Sequence, residues 1–195
     1  MTRTLLAAAA SIVFLAAASS DAPMRVRGTV TSVSSNTIGV KGTNGNDYQI
    51  EVGDKTRLVF AQPIALSDIK PGDFLGVTSL KRKEGTLMAY DVRRFPKPVN
   101  PGHRPFDGLA DQTMTNAAVS GTAKGVSGPE LQLTYEGGSQ KVVIAKTAQI
   151  SNLVPGERSQ LVKDSYVSLL ADKGADGKLT ARSIEMRKEA PKAPQ

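Results

Sequence analysis

The chain has 195 residues, with 25 Lys and Arg against 18 Asp and Glu, one histidine and no cysteine. The missing thiols exclude a disulfide framework, a thiolate metal centre and a cysteine nucleophile. A formal net charge of +7 favours anionic partners, and it equally keeps an exported protein soluble.

Residues 1–20 read as a secretory signal. Arg3 supplies the positive start, Leu5 to Ala18 the apolar stretch and Ala18-Ser19-Ser20 a small-residue cleavage site, so cleavage is expected near Ala18 to Ser20. Fourteen apolar residues fall short of the ~20 that span a bilayer, and no later run is as long. The expected product is an exported, periplasmic protein with no transmembrane segment in the mature chain.

From Met24 the pattern changes to short alternating segments separated by turns, the signature of an all-β fold. Candidate strands are 26–33, 37–41, 48–52, 57–60, 74–80 and 86–95, with a hairpin turn at Gly42-Thr43-Asn44-Gly45-Asn46 and a short helical turn before Pro71-Gly72. The order then returns after 92 or 93 residues. Val26, Gly28, Thr29 and Val33 reappear as Val119, Gly121, Thr122 and Val126; Ile38 and Val40 as Leu131 and Leu133; Ile50 and Val52 as Val142 and Ile144. Phe74 matches Tyr166, Ala89 matches Ala181 and Val92 matches Ile184.

In the first and last strands of each copy the apolar phase slips by one place, before Val33 or Val126 and before Val92 or Ile184, which predicts β-bulges. Three strands, a helical link and two more strands is the order of the OB barrel. The expectation is two tandem small OB-like barrels, 24–95 and 119–187, joined by a Pro-rich linker over 96–118 and followed by a disordered tail at 188–195. The short strand at 57–60 fits that order least well.

The joint holds four of the eleven prolines and the lone histidine, and its first half is barred from helix and from interior strand. Phe106, Leu109 and Met114 are expected to dock as apolar anchors, with His103, Arg104 and Asp107 tying the joint down.

The turn Ser67-Asp68-Ile69-Lys70-Pro71-Gly72-Asp73-Phe74, the stretch Gly102-His103-Arg104-Pro105-Phe106-Asp107 and the stretch Thr113-Met114-Thr115-Asn116-Ala117 give the chain its most specific features. With the duplicated barrel, they make residues 26–186 resemble an exported bacterial family known only as a domain of unknown function. A tryptophan usually stands in that family where this chain has Phe106. The resemblance implies a periplasmic protein with OB-like repeats and brings no activity with it.

The chemistry offered is that of binding. One histidine in a proline-rich joint, with no nucleophile elbow, phosphate loop or zinc-protease motif, argues against an enzyme and requires no cofactor. Arg27, Lys81, Arg82, Lys83 and Arg94 are the candidate ligand-binding residues of the first barrel, suited to an anionic envelope component or a partner protein. His103, Arg104, Phe106, Asp107, Met114 and Asn116 form the joint motif. No metal is required; the alternative is a soft metal such as copper held by His103 and Met114, and a third reading is a purely structural envelope module. Nucleic acid is disfavoured: there is no tryptophan, and Tyr48, Phe74 and Tyr166 fall in core phase, leaving Tyr90 as the exposed ring. The oligomeric state is left open.

Overall fold

A computed structural model describes residues 22–107 and 109–194. The signal segment 1–20 lies outside the described residues. The protein is all-β, with β1 (Met24–Val33), β2 (Thr37–Gly42), β3 (Asp47–Glu51), β4 (Arg57–Pro63), β5 (Phe74–Lys81), β6 (Leu87–Phe95), β7 (Gly102–Phe106), β8 (Leu109–Gly125), β9 (Gly128–Tyr135), β10 (Gly138–Pro155), β11 (Tyr166–Lys173) and β12 (Leu179–Arg187). Single 3-10 turns at Leu66–Asp68 and Arg158–Gln160 precede β5 and β11.

The strands form where apolar residues alternate, and they end where the chain must turn. Gly85 and Gly177 close the β5–β6 and β11–β12 hairpins with φ of 89° and 80°, a region open to glycine without steric cost. The bulges of β6 and β12 sit where the phase slip requires. The pairing skips Tyr90 between Ala89 and Asp91, and Arg182 between Ala181 and Ser183. Ala89, Val92, Ala181 and Ile184 therefore all face a core. In the first strands the outcome differs. Bulges occur at Thr31 and Ser120, yet Val33 is 41% exposed and Val126 fully so, because both stand at strand ends beyond the reach of the core.

All twelve strands belong to one sheet, which closes on itself twice. The first circuit runs β1-β2-β3-β12-β11 and back to β1. The second runs β8-β9-β10-β6-β5 and back to β8. In each, the strand after the hairpin returns parallel to the third strand, β12 along β3 and β6 along β10.

The segments 24–95 and 119–187 do not each enclose a core of their own. The first core joins Val30, Ile38, Val40 and Ile50 to Leu169, Ile184 and Met186, and the second joins Leu75, Val77 and Val92 to Val119, Leu131 and Leu133. The cause is β4, the strand that fitted the expected order least well. It runs parallel to β12 on one side and antiparallel to β10 on the other, and so carries the chain from the first circuit into the second.

The joint is also more ordered than a linker. β7 pairs with β8 as the terminal strand of the sheet, where the missing N–H of Pro105 is tolerated. β8 runs unbroken through residue 118, the expected boundary. Residues 188–194 form neither helix nor strand, and the Gln149 amide donates to the Ala190 carbonyl at 3.1 Å. Among the described residues no helix is long and apolar enough to cross a membrane.

Candidate functional site: a cationic cleft under the joint

Strand alternation aims a row of charges at the seam between the two circuits. With Val92 turned into the second core, Arg93 of β6 faces the other way, toward Glu185 of β12. β10 and β4 stand between those strands in hydrogen-bonding order, yet the sheet coils far enough to bring them together. Arg93 Nη1 lies 3.1 Å from Glu185 Oε2, Arg187 Nη1 lies 2.8 Å from Asp91 Oδ1, and Arg187 also pairs with Glu185.

The four side chains are largely withdrawn from water. Burial opposes the charge on Glu185, but Arg93 and Arg187 outweigh it and hold the carboxyl below its usual range. Burial likewise opposes the Arg187 charge, and Asp91 with Glu185 more than restores it. Such a network costs several kcal/mol if one partner is lost, and it fixes the pose of β6 against β12.

The joint packs beside this network through the residues of its motif. Asn116 is buried, and its amide donates to the carbonyls of Val99 and Asn100 at 2.9 and 3.2 Å, holding Asn100 at a left-handed φ of 41°. His103 Nδ1 lies 2.8 Å from Thr115 Oγ1, and Arg104 donates to the Asn100 carbonyl at 3.1 Å. Asp107 pairs with Arg27, whose guanidinium sits 4.4 Å from the centre of the Phe106 ring. Met114 is buried, with Arg93 Nη2 at 3.7 Å from its sulfur. Phe106 and Met114 thus anchor the joint, whereas Leu109, 52% exposed, does not.

Between the joint and the seam lies a cleft of about 630 Å³. Arg25 of β1, Arg57 of β4, Arg93 of β6, Lys97 and Arg104 of β7 all line it, against two carboxylates, Asp107 and Glu185. Both carboxylates are already engaged, by Arg27 and by the seam network. Arg25, Arg57 and Lys97 enter no ion pair among the described residues. Desolvation lowers the Arg25 pKa first and the charge of Arg93 next; Glu185 pulls the other way, and Arg104 adds a smaller lowering. Phe95, Phe106, Leu170 and Val99 supply apolar wall between the cations. The arrangement can receive an anion that carries apolar surface.

The five candidate ligand residues are not brought together. Arg27 is occupied by Asp107 and Phe106. Arg94 is held by Asn152, the Asp68 carbonyl and Asp73 at 3.2, 3.1 and 3.4 Å. Lys81, Arg82 and Lys83 lie at the turn of the β5–β6 hairpin, at the opposite end of that ladder from Phe95 and the cleft. Arg25 and Arg93, on the same strands as Arg27 and Arg94, line the cleft instead, and the bulge at Tyr90 is the signal that turns Arg93 rather than Arg94 toward the seam.

The proposed metal pair does not converge either. His103 stands opposite Thr115 and Met114 opposite Arg104, so their side chains leave opposite faces of the β7–β8 ribbon. Among the described residues no group of three His, Asp or Glu side chains is placed to hold a metal ion. Tyr90, expected at the surface, is buried, and its hydroxyl donates to Gln112 at 3.1 Å.

Residues 27–93 match the family model described as Domain of unknown function (DUF5666). The match spans β1 to β6, from Arg27 through Arg93, and carries no assigned activity. No curated protein and no solved structure matches the chain.

Proposed function

We propose that the protein is a non-catalytic, exported binding module that takes an anionic envelope component in the cleft under its joint. On this reading the two closed circuits are OB-like units descended from a duplicated half, and the joint motif serves to close the cleft. The observation that carries it is the setting of Arg25. Arg25 stands exposed at the cleft with no carboxylate at ion-pair distance among the described residues, and the repulsion of Arg93 acts on it more strongly than the attraction of Glu185. Uncompensated positive charge in a concave, partly apolar wall is stabilised by a bound anion.

The test is titration of the mature protein with polygalacturonate and, separately, with phosphatidylglycerol vesicles at low and high salt. Binding to one of them that weakens as salt rises is expected. Arg25→Ala with Arg104→Ala removes charge-assisted contacts each worth ~1.5–3 kcal/mol, so affinity falls about a hundredfold or more, while Lys81→Ala with Lys83→Ala leaves it within about twofold. Equal loss in both variants, or loss only in the hairpin variant, overturns the cleft as the site.

A further inference from the structure

We infer that each half of this chain is a dimerisation unit whose partner is a second half of the same strand order, and that the protein carries both partners in one polypeptide. The inference rests on topology and is independent of what the cleft binds.

Consider residues 24–95 alone. β1, β2 and β3 make three-fifths of one circuit, and their free edges are those that β11 and β12 occupy. β5 and β6 make two-fifths of the other, with edges that β8 and β10 occupy. Val30, Ile38, Val40 and Ile50, all fully buried, share one core with Leu169, Ile184 and Met186 from the other half. Neither part completes a core without strands from elsewhere, and open apolar strand edges recruit other strands.

The contacts between halves have the reciprocity of a two-fold dimer, in which residue i meets j and j meets i. Along β4 and β10, Val59 pairs with Pro155, Ala61 with Leu153 and Pro63 with Ser151. Residues 59, 61 and 63 correspond to 151, 153 and 155 at the 92-residue offset of the sequence repeat, so the ribbon is paired with its own counterpart about Ala61 and Leu153. The flanking parallel pairs obey the same rule: Arg57 opposite Ser183 is answered by Gln149 opposite Asp91. The seam is therefore an isologous interface formed in cis. β4 is its hinge, since seven residues in extended form span ~20 Å and take the chain out of its own circuit.

The full chain tests this, since it contains no native cysteine. A specific protease site is inserted after Lys97, which is exposed. Arg25 and Leu170 face each other across β1 and β11, so Arg25→Cys with Leu170→Cys forms a disulfide that joins the two pieces on a non-reducing gel after cleavage. Residue 78 is the counterpart of residue 170 in the first half, and Arg25→Cys with Thr78→Cys remains reduced. In the cysteine-free chain, native mass spectrometry after cleavage, unfolding and refolding yields two-piece assemblies, including pairs of the N-terminal piece. Linkage of the second cysteine pair in place of the first, or folded single pieces after refolding, overturns the inference.

Discussion

Arg93 and Glu185 stand 92 residues apart, at equivalent places in the two halves, and meet at 3.1 Å across the seam. An arginine in one half and a glutamate in the other turn a like-with-like contact into an ion pair. Asp91 and Arg187 extend it into a network that links β6 to β12, and with them the two cores.

Replacing Arg187 by methionine leaves Asp91 without its closest cation and weakens the hold on Glu185. Loss of one partner from a buried pair costs ~3–5 kcal/mol, and unfolding by urea should show a fall of that size. Because both cores share the seam, the transition should stay single; two separate transitions would show that the circuits unfold independently.

The Glu185 carboxyl is held below its usual range in the folded protein by Arg93 and Arg187, against the opposing effect of burial. Its contribution to stability is complete above the unfolded value of ~4.3 and is lost as pH falls from there through the depressed folded value. The urea midpoint of the wild type should drop over that acidic window. Glu185→Gln, less stable at neutral pH, should drop less steeply, and identical pH profiles for the two proteins would remove Glu185 as the cause.

Gly28 and Gly121 are counterparts in sequence with opposite tolerances. A Cβ at Gly28 would run into the carbonyl of Lys41 and the backbone of Gly42 on β2, which cannot swing aside, whereas a Cβ at Gly121 meets nothing within 4 Å. Gly28→Ala should cost ~1–3 kcal/mol through overpacking, and Gly121→Ala less than about 0.5 kcal/mol. Thermal unfolding of the two variants side by side decides this.

His103 titrates below the ordinary imidazole value because it is partly buried and because Lys81 repels its protonated form. Being the lone histidine, it gives one resolvable NMR titration. The folded midpoint should lie below ~6.5 and move toward that value in Lys81→Ala; stability tied to this group is present above ~6.5 and declines as pH falls through the folded midpoint. A midpoint above ~6.5 would contradict the partial burial of the ring near Lys81.

Much of this was legible from residues alone. Period-two alternation located the strands to within a few residues, glycines marked the hairpins, and the phase slips near Tyr90 and Arg182 marked the bulges, all because these depend on neighbours a few positions away. The joint motif stood out, and the structure gives its residues their work: Asn116 on two carbonyls, Thr115 on His103, Asp107 on Arg27. The charged residues around the cleft were harder to rank. Arg25 and Arg27 share one face of β1, and only the position of Phe106 and Asp107 shows which is occupied.

By itself, then, the sequence determined an all-β chain and the order and ends of most strands. Which strands close which core was decided only in three dimensions. An apolar alternation specifies the face a strand buries and leaves its neighbour open, and two halves with the same alternation offer each three-strand set two equivalent hairpins to complete it. The extended course of β4, pairing with its own counterpart in β10, selects the hairpin from the other half; the cleft, which draws its walls from both halves and the joint, exists only as a result of that choice.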